Sequence, residues 1–429
     1  MAVTAPGGSP ADTDLVGRIA GLLLDSAILV RDQATWLTPQ LAEADPAALG
    51  DEEAAPTIGR TGASCLYDGS AGIGWALAVV GAGRGDGQLQ EVAAAGVRHA
   101  LARAEVEGRD GLYDGAAGVG LAAIAVGGLL GVDELRTGGV GLLRRAGAST
   151  PSSDDLIDGS AGIALACLRG ARLADDGALL AAAQRQVETL VARAERHTWG
   201  WCWPSQGEAG LCGLAHGAAG AAWALGEVAA TTATSTTSAP SATATSPSLS
   251  AAREAARRYE RSWFDPRSNT WPDLRQEVAA GDGSPPRPSL WCHGGVGIGL
   301  SRLAVHRVDP HPALVGEAVA ARTAASEEAA HQVAAGVLPS GLTFCHGLGG
   351  TLALLVATAD RLDAPEDLHT ARQLLAGALD HLGAHPAAWP GGLLQEPGPG
   401  LMTGLAGTML VLEGMEDPAA LAPLIGLGA

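Results

Sequence analysis

Two short strings, Trp291–Gly294 (WCHG) and Phe344–Gly347 (FCHG), each place a cysteine directly before a histidine and a glycine. Cysteine sulfur and histidine nitrogen are the donors zinc takes in tetrahedral geometry, so Cys292, Cys345 and His346 form a candidate metal set. The two cysteines stand about fifty residues apart, which is not the spacing of a zinc finger, so the signal depends on a repeat and not on a local pattern. The residues alone leave alternatives open. Both cysteines could be small buried core residues and both histidines hydrogen-bonded structural groups, or His293 could join the set and close it as a four-ligand structural site.

The repetition is present. YDGSAGIGWAL from Tyr67, YDGAAGVGLAA from Tyr113, IDGSAGIALAC from Ile157, AHGAAGAAWAL from Ala215, CHGGVGIGLSR from Cys292, CHGLGGTLALL from Cys345 and TGLAGTMLVL from Thr403 all contain Gly-x-x-Gly followed by small and aliphatic residues. Successive copies lie roughly 45 to 75 residues apart, room for two helices and their loops. The segments after each Gly-x-x-Gly are apolar on nearly every side and predict buried inner helices. Stretches between copies, such as QLQEVAAAGVRHALARAEVEG from Gln88 and LLAAAQRQVETLVARAERH from Leu179, are amphipathic and predict outer helices. Glycine weakens a helix interior, so the paired glycines belong at the helix mouth, where they permit a tight turn and close packing. The predicted fold is all-α: a closed α/α toroid of seven inner and seven outer helices, with few strand signals.

In such a ring the residues before the first glycine project toward one central cavity: Asp68, Asp114, Asp158, His216, His293, His346 and Thr403. The residues before those are Tyr67, Tyr113, Ile157, Ala215, Cys292, Cys345 and Met402, so the cysteines fall only in the adjacent fifth and sixth copies. A helix N-terminus favours thiolate over thiol, which assists metal binding. Asp68, Asp114 and Asp158 lack metal partners and are expected to cap helices. Trp271, Trp291 and Trp389 are candidates either for the cavity wall or for the core.

Composition narrows the function. A net charge of -19 argues against nucleic acid and anionic membranes as partners. All 27 basic side chains are arginine, which excludes lysine nucleophiles and Schiff bases. Six cysteines spread over 429 residues suit metal or catalytic use better than a disulfide framework. No signal-peptide pattern opens the chain and no uncharged apolar run reaches membrane-spanning length, so the expected setting is soluble and cytoplasmic. Residues 1–14 are expected to be a disordered N-terminus, and residues 15–429 one domain with a disordered Ser/Thr/Ala/Pro insertion at about 231–250.

The seven Gly-x-x-Gly motifs, WCHG at Trp291, CHGLGG at Cys345, GLAHG at Gly213 and PGLMTGLAG at Pro399 together resemble the lanthionine synthetase C family, the lanthipeptide cyclases and LanC-like proteins, from roughly Leu15 to the C-terminus. The resemblance implies a double α-toroid and one zinc ion per chain on Cys292, Cys345 and His346, with a fourth position open to a substrate thiol. It implies His216 as the catalytic histidine, Asp155 as its partner aspartate, and His293 as a neighbour of the metal, grouped with the catalytic residues and not with the ligands. The implied reaction adds cysteine thiols to dehydroalanine or dehydrobutyrine in a dehydrated precursor peptide, forming thioether rings in lanthipeptide and antibiotic biosynthesis. A separate dehydratase and an export transporter are the implied partners. Some relatives carry an arginine four residues before the first ligand, where this chain has Pro288 and places Arg287 one residue earlier.

Two other readings use the same residues differently. A LanC-like enzyme would add glutathione or another separate thiol to dehydroamino acids, and a non-catalytic toroid would only bind peptides. An unrelated toroid glycosidase or terpene-type cyclase would lead with paired carboxylates or Asp-rich helices instead.

Overall fold

The computed structural model describes residues 14–41, 58–204, 210–235, 248–275, 284–391 and 398–425. Fourteen of its helices alternate between two concentric layers. The inner ones are α2 (Ser70–Arg84), α4 (Ala116–Leu130), α6 (Ser160–Ala174), α8 (Ala218–Ser235), α10 (Gly295–Val308), α12 (Leu348–Arg361) and α14 (Leu405–Gly414). The outer ones are α1 (Leu15–Asp25), α3 (Gly87–Glu107), α5 (Asp133–Ala148), α7 (Gly177–Arg193), α9 (Leu249–Trp263), α11 (Pro312–Ala335) and α13 (Pro365–Leu382). A short α15 (Ala422–Ile425) follows.

Each inner helix packs on the next, and α14 returns to α2, so the inner ring closes. The outer layer closes differently. Its seventh helix is α1, from the beginning of the chain, which packs against α14 near the end. Asp14 caps α1 by accepting the Gly17 N–H and also pairs with Arg84 of α2, so this first helix is tied to the ring by charge as well as by its buried Val16, Ile19, Ala20 and Leu23.

The helix signals in the sequence account for the layering. Inner helices are almost entirely buried, α4 from Ala116 to Ile124 without a break. Outer helices bury one face, and most begin with a side-chain cap: Asp86 accepts the N–H groups of Gln88 and Leu89, and Asp176 those of Ala178 and Leu179, while α5 and α13 begin without one. The inner helices have glycine at the N-cap, with no side-chain cap bond at Gly69, Gly115 or Gly159. The capping role expected of Asp68, Asp114 and Asp158 is therefore not found. Asp68 instead bridges the seam of the ring to the last repeat, accepting from the backbone of Met402 and Thr403 and from the Thr403 hydroxyl.

The second glycine of each motif is needed for close approach. A Cβ on Gly118 would meet the carbonyl of Leu112 on its own turn and Leu66 of the preceding repeat, and Gly162 stands likewise against Leu156 and Leu112. Three small antiparallel hairpins decorate the toroid: β1 (Ile28–Val30) with β2 (Gln33–Thr35), β3 (Thr38–Leu41) with β4 (Ile58–Thr61), and β5 (Glu195–His197) with β6 (Gly200–Cys202). Of the expected insertion, residues 231–235 belong to α8, Ser248 caps α9 and 249–250 begin it, while 236–247 lie outside the described residues, as do residues 1–13.

Candidate active site at the ring of motif turns

The turns that precede the inner helices are stitched together by backbone hydrogen bonds. The N–H of Tyr67 donates to the carbonyl of Tyr113 (2.8 Å), Tyr113 to Ile157 (2.9 Å), Leu156 to Ala215 (3.0 Å), Ala215 to Cys292 (3.1 Å), Trp291 to Cys345 (3.2 Å), Cys345 to Met402 (2.8 Å) and Met402 to Tyr67 (2.8 Å). Seven bonds close the circle. The positions aligned by the sequence motifs are thus the links of one ring, and Cys292 and Cys345 are neighbouring links.

The donor atoms of Cys292, Cys345 and His346 lie within 4.8 Å of one another, with Cys345 Sγ 3.7 Å from His346 Nε2. Both cysteines are buried and His346 opens toward the cavity. The convergent set leaves out His293. That ring is buried, with Nδ1 3.7 Å from Asp273 Oδ1, and stacks beside His216 at 5.8 Å between centroids. Burial holds His293 below the ordinary histidine value and therefore neutral.

The charges at the two sulfurs are unequal. Hydrogen bonding from Cys345 outweighs burial and, with His346, holds Cys292 well below the usual thiol value. Cys345 is pushed well above it by burial and by its Cys292 neighbour. A thiol lowered toward thiolate beside a second sulfur and an imidazole is a donor set with electron pairs to give, and two sulfurs with one nitrogen are the ligands zinc prefers. The residues fit the metal. Tyr67, an unforeseen member of the site, donates its hydroxyl to Cys345 Sγ at 3.1 Å. Cys65 also faces the cavity, but burial raises it to about 11, so it stays a thiol.

On the neighbouring link of the ring His216 Nδ1 lies 2.6 Å from Asp155 Oδ2. The other Asp155 oxygen accepts the N–H groups of Ile157 and Asp158. The Ile157 N–H is thereby taken from the ring, and Leu156 donates to Ala215 in its place. Burial works against a charge on His216, but the bond and charge of Asp155 prevail and raise its pKa above the ordinary value.

Both groups border one cavity of about 440 Å³, which is also lined by Tyr67, Asp68, Arg109, Asp114 and Trp291. Trp291 thus lines the cavity, whereas Trp271 and Trp389 are buried core. Arg287 bonds the Thr270 carbonyl instead of entering the site. The cavity does contain an arginine, Arg275, whose guanidinium is held by Asp273. It comes from the loop after α9, and no local pattern in the sequence distinguishes it.

Among solved structures the chain is similar to a nisin cyclase, with a TM-score of 0.55 and 18% identity over 85% of this chain and 92% of that one. No curated protein matches it at the sequence level. The profile of the lanthionine synthetase C-like proteins matches residues 63–423, a span that takes in every motif of the ring, and the chain belongs to that family.

Proposed function

We propose that this protein is a zinc-dependent lanthipeptide cyclase, adding cysteine thiols to dehydroalanine or dehydrobutyrine within a dehydrated precursor peptide. The observation that carries the reading is that one cavity joins a Cys292–Cys345–His346 donor set to a carboxylate-held histidine, His216. Family membership and the likeness to a nisin cyclase support it.

Cys292, Cys345 and His346 would hold the ion. Zinc bound there would supply the Lewis acidity that makes a substrate thiol nucleophilic at neutral pH. The peptide thiol gives up its proton, its sulfur bonds to the β-carbon of the dehydro residue, and the electron pair of the double bond passes to the α-carbon and its carbonyl. That carbon must then take a proton. Asp155 accepts from Nδ1 and stabilises the doubly protonated ring, so Nε2 takes up the proton the thiol releases and delivers it to that carbon. His293, neutral and buried beside Cys292, fills the wall and stacks against His216. Asp155 acts through His216, which it orients.

A dehydratase must act first, because the chemistry above begins from the dehydro residue, and an exporter of the finished peptide completes the expected partners. No helix among the described residues is long and apolar enough to cross a membrane, and the cyclase is proposed to work in the cytoplasm. The test is a cyclisation assay on a peptide carrying dehydroalanine and cysteine, read by mass spectrometry after thiol alkylation. Parental protein should consume the free thiol. His216→Ala should keep its metal and lose about 10²- to 10⁴-fold in rate, and Cys345→Ala should lose both. Ring closure at the parental rate by metal-free Cys345→Ala would overturn the reading.

A further inference from the structure

The hairpin of β5 and β6 carries a second convergent donor set. Glu195 and Cys202 are directly opposed across the strands, and His197 opposes Gly200. Side chains alternate faces along a strand, so Glu195, His197 and Cys202 share one face, while Arg196 and Trp201 meet on the other, 4.5 Å from guanidinium carbon to ring centroid. The donor atoms of the three lie within 4.8 Å of one another, with His197 Nε2 3.7 Å from Glu195 Oε2. A tetrahedral ion with nitrogen and oxygen donors at about 2.0–2.2 Å spaces them roughly 3.3–3.6 Å apart, so the pair stands within roughly a few tenths of an ångström of ligand separation.

We infer that this hairpin binds a second, borderline-soft divalent cation of the zinc class through Cys202 sulfur, His197 nitrogen and a Glu195 oxygen. One sulfur, one imidazole and one carboxylate are a zinc-type donor set, and unlike a cluster of carboxylates it does not favour calcium or magnesium. The parts are preformed. The His197 ring stacks flat on Trp199 at 4.7 Å and 6° between planes, which fixes its orientation. Cys202 is buried, with its thiol against the Gly210 backbone at the entry to the fourth motif. Gly200 sits against the Tyr259 backbone of α9, so the hairpin is seated on the outer layer. The site is separate from the ring cavity, none of whose lining residues it shares. Its place in the chain gives it a role: it follows α7 and precedes the Gly213–Gly217 turn that presents His216, and a bound ion would clip that approach to the toroid.

The test uses the full-length chain with cobalt(II) as probe. In a Cys292→Ala/Cys345→Ala background the sulfur ligands of the ring cavity are gone, so the outcome does not depend on the proposed cyclase activity. We expect about one cobalt per chain, a thiolate-to-cobalt charge-transfer band, and a rise in melting temperature on adding the ion. Adding His197→Ala, a partly exposed and structurally mild change, should abolish all three, as should Cys202→Ala. Failure of the double variant to bind cobalt, or an undiminished band after His197→Ala, would overturn the inference. Parental protein should carry two zinc ions rather than one, falling to one in His197→Ala.

Discussion

Asp155 holds His216 with one oxygen and its own backbone turn with the other: Oδ2 lies 2.6 Å from His216 Nδ1, and Oδ1 accepts the N–H groups of Ile157 and Asp158. The carboxylate cannot rotate without breaking three bonds, so the imidazole is held in one tautomer and one orientation. Burial opposes charge on both partners, yet their mutual attraction lowers Asp155 below its ordinary 3.8 and raises His216 above 6.5.

The sign of the pH dependence follows. A histidine with a raised pKa contributes stability that is complete below 6.5 and lost as pH rises through the raised value. The lowered aspartate contributes stability present above 3.8 and lost as pH falls through its depressed value. Asp155→Asn should therefore cost most stability between about pH 4 and 6.5 and least in alkali. An NMR titration of His216 should show its pKa fall in the variant, with the alkaline limb of the rate profile moving to lower pH. An unchanged titration would mean that Asp155 serves the backbone alone.

Tyr67 tests the support of the donor set from another repeat. Its hydroxyl reaches Cys345 across the ring, and Tyr67→Phe removes the bond while keeping the ring that packs edge-on against Tyr113. Partners of metal ligands tune affinity by about 10- to 100-fold, so competition with a chelator should show zinc released at lower chelator concentration. Folding should change little, since one neutral hydrogen bond contributes about 1 kcal/mol.

The toroid was legible in the sequence because its physics is periodic. Gly-x-x-Gly marks every inner mouth, and the stretches between copies show one polar face, so layer and order follow from pattern alone. The donor set was legible for the same reason: equal motif positions become neighbouring links of one ring. Three features had no such signal. The closing outer helix α1 is remote in sequence from the α14 it covers. Asp68 and Thr403 occupy equal motif positions, but no local spacing announces that the carboxylate bonds across the seam instead of capping its own helix. Arg275 enters the cavity from an irregular loop where periodicity says nothing.

Gly118 measures how tightly that periodic core is built. Its missing side chain lets α4 lie on the Leu112 carbonyl and on Leu66 of the preceding repeat, and a methyl group there would meet backbone, which cannot turn aside as a side chain can. Gly118→Ala should destabilise by about 3 kcal/mol or more, the upper part of the range for overpacking. By contrast Gly128→Ala, with open space around the new methyl, should stabilise α4 by about 0.5–1 kcal/mol. Chemical denaturation of the two variants compares them directly.

The contact between the two layers has its own point of high cost at Arg302 of the inner helix α10. Nearly the whole side chain is buried, with Nη2 2.6 Å from Glu260 of α9 and Nε 2.5 Å from Glu317 of α11, so three helices share one cation. Glu317 has a second partner in Arg261, but Glu260 is fully buried and Arg302 is its only direct ion pair among the described residues. Burial already pushes Glu260 up to about 7 despite that partner. Arg302→Ala should cost about 3–5 kcal/mol by stranding a buried carboxylate. The loss should be smaller in acid, because a protonated Glu260 needs no counterion, and should grow as pH rises through 7 and the charge must be carried unpaired. Melting curves of parental protein and variant from pH 5 to about 9 read this directly. Adding Glu260→Gln to Arg302→Ala should flatten the difference, and a deficit that stays independent of pH would place the cost in lost packing instead of the orphaned charge.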